Sequence, residues 1–407
     1  MQPLSPQPSL PAPNHAALQH SRTLKELIRA EIAAAGGWIS FEHYMRLALY
    51  KPGLGYYSGG AAKFGQEGDF VTAPQISSLY GRALARQAAQ VLELMDGGNI
   101  LEFGAGTGKL ALDMLLELEE LGSLPKRYFI LEVSGELRQR QQRLFERFTP
   151  HLAPRVAWLE HLPEQFSGLI LANEVLDAMP VYLVRCSGPD LFERGVSGDG
   201  DEFRWSDRPL MQGELFDAAR NLGIMTDPAI GHAGGYLDSY GREGYVSEIN
   251  LAARHFMSSL AGILKTGAIL LIDYGFGHDE YYHPQRNRGT LMCHYRHYAH
   301  DDPFYLPGLQ DITSHVDFSA IAEAAGKAGL DMLGYTSQAR FLINCDITGL
   351  LAQTPAANAK EYLPLASQVQ KLLSPAEMGD LFKVVAFGRN LSTPLTGFTS
   401  GDKSRML

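Results

Sequence analysis

The sequence has no run of about 18 apolar residues, which removes any membrane-spanning helix from the reading. Cysteine is scarce: Cys186, Cys293 and Cys345 stand far apart and form no C-x-x-C pair. A disulfide framework and a zinc ribbon are therefore not expected, and a reducing compartment is the simpler setting. The first 20 residues contain no Lys or Arg but hold Pro3, Pro6, Pro8, Pro11 and Pro13. They fit neither a secretory signal nor a mitochondrial transit peptide, so residues 1–20 read as a disordered tail and the protein as a bacterial cytoplasmic one. Positive charge is in deficit too. Thirty-five Lys and Arg against 45 Asp and Glu give a net charge of −10, which disfavours broad contact with nucleic-acid phosphates.

What is present is ample core and an alternation of helix and strand. Apolar residues make up 45% of 407 positions and charged residues 20%. Leu24 to Ala35, Phe41 to Leu49 (with Ser40 as N-cap) and Ser77 to Met95 read as helices. Strands are expected at Asn99–Phe103, Tyr128–Val133, Val156–Leu159, Gly168–Ala172 and Ala268–Asp273, with helices Leu110–Leu121 and Glu136–Phe148 between. Short apolar strands alternating with helices predict a parallel sheet covered on both faces. The expected division is a helical cover with a lid loop over residues 21–96 and a core over 97–180 and 246–390. Residues 181–245 read as an inserted subdomain and 391–407 as a loose C-terminal tail.

The stretch Glu102-Phe103-Gly104-Ala105-Gly106-Thr107-Gly108-Lys109 falls at a strand-to-helix turn, where open parallel sheets bind ligands. A P-loop would need a longer glycine spacing and Ser or Thr after the lysine, where Leu110 stands. A dinucleotide fingerprint would need its third glycine at Lys109. Glu-x-Gly-x-Gly-x-Gly remains, a pattern resembling motif I of S-adenosyl-L-methionine (SAM) methyltransferases. Its glycines permit positive φ and close backbone approach to a ligand. Glu132 ends the second strand, where an acid can accept both hydrogens of a ribose diol. The fourth strand ends in Ala172-Asn173-Glu174-Val175-Leu176-Asp177. Glu174 and Asp177 can grip a guanidinium, and Asn173 can hold an N–H donor. The competing reading is that Asn173 and Asp177 only cap a following helix.

Further motifs occur in order: Gly68-Asp69-Phe70-Val71-Thr72-Ala73-Pro74, Leu271-Ile272-Asp273-Tyr274-Gly275, Arg288-Gly289-Thr290-Leu291, His297, Pro307-Gly308 and Asp311-Ile312-Thr313-Ser314-His315-Val316-Asp317-Phe318. With the glycine loop and the Asn173–Asp177 stretch, they resemble the MidA family of SAM-dependent methyltransferases. That family includes a mitochondrial complex I assembly factor that methylates protein arginine. The resemblance spans roughly Thr23 to Arg389. It implies a Rossmann-like class I SAM-dependent methyltransferase with an N-terminal helical cover and an inserted subdomain. It implies SAM contacts from Glu102, Gly104, Ala105, Gly106, Gly108, Glu132, Val133, Asn173, Asp69, Phe70 and Thr72. Glu174, Asp177, Asn173 and His315 become the acceptor-side residues. Gln75 stands where the family leads one to expect glutamate.

The implied reaction is methyl transfer to arginine nitrogen on a partner protein, a respiratory-complex subunit by the resemblance, with a homodimer as a further expectation. The rival readings are a small-molecule methyltransferase and a non-catalytic SAM-binding assembly factor. No metal is expected: His294, His297 and His300 recur every three residues without a carboxylate–cysteine set. Nucleic acid is not the expected substrate either, because the helix bearing Arg138, Arg140, Arg143 and Arg147 also carries Glu136 and Glu146.

Overall fold

The computed structural model describes residues 10–59, 72–200, 202–222 and 244–407. Two helices open the chain, α1 (His15–Ala34) and α2 (Phe41–Tyr50). The core then runs α3 (Ser78–Leu94), β1 (Asn99–Phe103), α4 (Lys109–Glu120), β2 (Tyr128–Leu131), α5 (Gly135–Phe148), β3 (Val156–Leu159) and β4 (Phe166–Asn173). Three later strands extend its sheet, β5 (Leu264–Phe276), β6 (Asp331–Ser337) and β7 (Phe382–Arg389), and the short strand Val316–Asp317 pairs parallel with the end of β5.

The strand order is β3-β2-β1-β4-β5-β7-β6, with only β7 antiparallel to its neighbours. Successive side chains go to opposite faces, and both faces are apolar. Leu169 and Leu171 of β4 join the cluster formed with α3 and α4, while Ile170 and Ala172 join the other, with the helices Leu251–Ile263 and Phe318–Lys327. Strand order reverses between β1 and β4. The ends of these two strands therefore diverge and open a crevice.

Two expectations about the chain ends change. The first helix begins at His15 rather than Leu24, because Asn14 accepts from the Ala17 N–H and caps it inside the stretch read as a tail. His20 is then anchored, its ring nitrogen 2.7 Å from the Leu54 carbonyl oxygen. The C-terminal residues are not loose. Leu395 and Phe398 are buried, Gln87 accepts from the Gly397 N–H at 2.8 Å, and Lys403 donates its N–H to the Tyr335 carbonyl at 2.6 Å. Small polar residues disguised this segment because backbone groups, not side chains, supply much of its attachment.

The inserted stretch is more regular than its Gly, Asp and Arg content suggests. Tyr182–Ser187, Asp190–Asp199, Glu202–Pro209 and Tyr245–Ile249 pair antiparallel, and Ile39–Ser40 from the cover adds an edge strand. Leu24, Ile28, Phe41 and Tyr44 share one core with Leu183, Val196 and Phe203. The cover and the insertion are thus packed as one body. The Arg288–Leu291 motif wraps a buried carboxylate: Glu248 accepts from the N–H groups of Thr290 and Leu291 at 2.8 and 2.9 Å. A side chain at Gly289 would stand 2.1 Å from Glu248 Oε1, which accounts for the glycine.

The crevice depends on close strand approach at its far end. Gly168 has φ +142°, and a Cβ there would lie 1.9 Å from the Asn99 carbonyl oxygen. Gly168→Ala should destabilise the protein by more than ~2 kcal/mol, since backbone cannot yield as a flexible side chain does. Urea unfolding measures this, and an unchanged midpoint would contradict the contact.

Candidate active site

The chain leaves β1 through a loop that only glycine makes easily. Gly104 and Gly106 have φ of +60° and +52°, and Gly108, at +82°, opens α4 without a side-chain cap. A Cβ built at Gly106 meets no atom within 4 Å, so the loop faces open space. That space is a cavity of about 470 Å³ at the switch point, within the ~300–1,000 Å³ range of ligand pockets. Its wall includes Thr72, Glu102, Gly104, Ala105, Gly106, Glu132, Val133, Asn173, Glu174 and Asp177. The structure therefore brings most of the expected residues together. Gly108 instead packs behind the loop against α5, Asp69 and Phe70 lie outside the described residues, and His315 is not in the wall.

On the β1–β2 side, Tyr128 donates to Glu102 Oε2 at 2.7 Å. Burial pushes the Glu102 carboxyl up to about 7, with the charge of Glu132 adding to the effect. Glu132 accepts from the Ser134 N–H at 3.0 Å and from Gln141 Nε2 at 3.1 Å. Its carboxyl is also raised by burial. Val133, 71% exposed, lies beside Leu137 and Leu162 and gives this part of the wall an apolar surface.

On the β4 side the geometry decides between the two readings of Asn173–Asp177. No helix starts here; the chain turns and continues to the strand Tyr182–Ser187, so there is nothing for Asn173 or Asp177 to cap. Glu174 sits at φ +53°, an uncommon conformation for a non-glycine residue, and its N–H donates to the Ile272 carbonyl at 2.9 Å. Asn173 Nδ2 donates to Glu174 Oε1 at 3.1 Å, and the Tyr80 hydroxyl donates to Asn173 Oδ1. Asp273, from β5, accepts from the N–H groups of Leu176 and Asp177 at 2.9 and 3.2 Å. Tyr274 donates to Asp177 Oδ2 at 2.6 Å. Tyr57, from the cover, contacts both oxygens of Asp311 at 3.0 Å.

Sequence reasoning missed Asp273, Asp311, Tyr57 and Tyr80 as members of this group. Asp273 and Asp311 were visible only as acids inside motifs, and the tyrosines arrive from elsewhere in the chain, Tyr80 from α3 and Tyr57 from the turn after α2. His315 is displaced from its expected role. It stacks on Phe276 with ring centroids 5.1 Å apart and meets the edge of Tyr274 at 5.0 Å. Burial, with Arg286 and Lys383 nearby, lowers its pKa to about 4, so the imidazole is neutral behind the site.

The result is a cluster of desolvated carboxyls, Glu174, Asp177 and Asp273. Among the described residues no Lys or Arg lines the cavity. No group of three or more His, Cys, Asp and Glu there is arranged to hold a metal ion. Burial, then repulsion from Asp177, pushes Glu174 up to about 8. Burial pushes Asp177 up to about 6 and Asp273 well above the usual carboxylate range. In each case the folded pKa exceeds the unfolded one, so the folded state holds more protons and stability falls as pH rises towards the folded pKa. His315 acts in the opposite sense, but only below its ordinary 6.5. Between about pH 6.5 and 8 the ligand-free protein should lose up to ~1.4 kcal/mol per pH unit through Glu174, the loss levelling off above its folded pKa. Glu174→Gln should flatten that slope. Urea unfolding at several pH values is the check, and an unchanged slope in the variant would contradict the burial of this acid.

The comparisons with known proteins agree with this geometry. The family model of S-adenosyl-L-methionine-dependent methyltransferases matches residues 83–336. A Burkholderia thailandensis protein crystallised with S-adenosyl-homocysteine is 51% identical, with a TM-score of 0.91 over 98% of this chain and 100% of its own. The mitochondrial protein arginine methyltransferase NDUFAF7 homolog of Drosophila melanogaster is 29% identical over 95% of this chain and 89% of its own. The Danio rerio protein arginine methyltransferase NDUFAF7 is 27% identical over 89% of this chain and 86% of its own. The glycine loop and cavity suit the donor, and the strand order is that of an open α/β sheet with its ligand crevice at the switch point. The chain belongs to this MidA-like family of class I methyltransferases, with S-adenosyl-L-methionine as its cofactor.

Proposed function

We propose that this enzyme methylates an arginine guanidinium nitrogen on a partner protein. The observation that carries the reading is the acidic end of the cavity: Glu174 and Asp177 stand in its wall, Asp273 accepts from the Asp177 N–H behind them, and among the described residues no Lys or Arg lines the cavity. A guanidinium stays protonated at any cellular pH, so an enzyme that methylates it must neutralise it at close range. Two carboxylates separated by one turn of chain match its forked donors. The relatives from Drosophila melanogaster and Danio rerio, named as protein arginine methyltransferases, support the same acceptor.

The chain's own residues then divide the work. Glu132 would hold the ribose hydroxyls of the donor, Glu102 would receive its methionine ammonium, and the Gly104–Gly106 backbone would support it. Bound S-adenosyl-L-methionine supplies an electrophilic methyl group. Asn173 Oδ1 is held by Tyr80 and its Nδ2 steadies Glu174, so the Glu174 carboxylate is aimed rather than free to rotate. Glu174 and Asp177 orient one guanidinium nitrogen towards the methyl group, and Glu174 accepts the proton that nitrogen sheds as its new N–C bond forms. Burial raises the Glu174 pKa to about 8, and the arriving guanidinium displaces the proton held there, leaving the carboxylate able to accept.

Glu174→Gln should keep S-adenosyl-homocysteine affinity within about threefold and lower turnover by roughly a hundredfold or more. Labelled SAM incubated with a deletion-strain lysate, followed by acid hydrolysis of the labelled protein, should yield methylarginine. Label confined to metabolites, lysine or carboxyl groups would overturn the arginine assignment.

A further inference from the structure

Gln141 belongs to none of the motifs above, yet it is completely buried on α5 and every polar atom of its amide is engaged. Its Nε2 donates to the Gly106 carbonyl at 2.8 Å and to Glu132 Oε2 at 3.1 Å. Its Oε1 accepts from Trp158 Nε1 at 2.8 Å. The orientation of the amide has one solution. An indole N–H only donates, so it must face the amide oxygen, and the carbonyl and carboxylate only accept, so they must face the NH₂. One side chain therefore ties together the glycine loop after β1, the acid after β2, and β3.

We propose that Gln141 is a positioning residue of the donor site, holding the Gly106 backbone and the Glu132 carboxylate at a fixed separation before SAM arrives. The inference rests on the reading of Gly106 and Glu132 as donor contacts. Both groups it holds are acceptors that would otherwise repel each other, and desolvation disfavours the charged form of the partly buried Glu132, which a donor helps to keep ionised. With one Glu132 oxygen engaged by Gln141 and the other by the Ser134 N–H, the carboxylate cannot turn away from the cavity. Trp158 completes the arrangement by preventing the amide from flipping.

The charge pattern makes the proposal testable in a way that loss of packing would not imitate. Gln141→Glu keeps the shape but sets an acceptor oxygen against two acceptors, which is tolerable only while a proton is shared with Glu132. The other titratable groups around this point are Glu102 along the same wall, Glu160 and His161 after β3, and Arg138 one turn earlier on α5, which pairs with Glu160 at 3.3 Å. They are common to wild type and variant, so wild-type protein at each pH supplies their contribution.

S-adenosyl-homocysteine binding by calorimetry is the experiment, on full-length protein whose folding is confirmed by thermal unfolding. Gln141→Glu should bind within several-fold of wild type near pH 6 and roughly a hundredfold more weakly near pH 8.5. Gln141→Met, which loses both donors without adding charge, should bind about tenfold more weakly at both pH values. A Gln141→Glu deficit that is absent or independent of pH would overturn the positioning role. Glu132→Ala separates the two levels: unchanged affinity there would overturn the donor reading itself, whatever the Gln141 variants do.

Discussion

The Asp273 carboxylate accepts hydrogen bonds from the backbone N–H groups of Leu176 and Asp177, and its second oxygen accepts from the Tyr274 N–H at 2.9 Å. These bonds hold the turn after β4 in place where no helix follows to hold it. They leave the side chains of Glu174 and Asp177 in the crevice wall instead of spent on capping. Asp273 thereby becomes a third buried acid beside the other two, and desolvation acts on all three at once. The site stores unfavourable electrostatic energy that a cationic ligand would relieve.

The helical cover and the inserted sheet matter to the site because they share a core. α2 packs on that sheet, and its last residue Tyr50 and the following turn's Tyr57 reach the acidic end of the cavity. Tyr50 donates to the Ala178 carbonyl at 2.9 Å, so the cover also bonds directly to the turn that carries the acids. A break in the shared core would reach the acceptor side of the cavity before it reached the glycine loop.

The central sheet was legible in the residues because buried parallel strands are written as short apolar runs. Asn99–Phe103 and Val156–Leu159 have the expected bounds. The glycine loop, Glu132, Glu174 and Asp177 were equally visible, since each follows a strand end. The inserted sheet was not. Its strands alternate polar and apolar residues and include Gly195, where a Cβ would meet the Ile39 carbonyl oxygen at 2.2 Å. The convergence of Asp311, Tyr57 and Tyr80 on Asn173–Asp177 was hidden for another reason: it depends on tertiary contacts across the whole chain. Gln141 was invisible because a buried amide has no local pattern.

On the proposed reading these carboxyls ionise against an incoming guanidinium. Calorimetric titration of an arginine peptide into the S-adenosyl-homocysteine complex, near pH 7 in buffers of different ionisation enthalpy, reads the protons exchanged on binding. Glu174, raised to about 8 when alone, should give up its proton as the cation arrives. The account predicts release of about one proton or more per peptide bound, abolished or much reduced in Glu174→Gln. Binding without proton release, or with proton uptake, would contradict it.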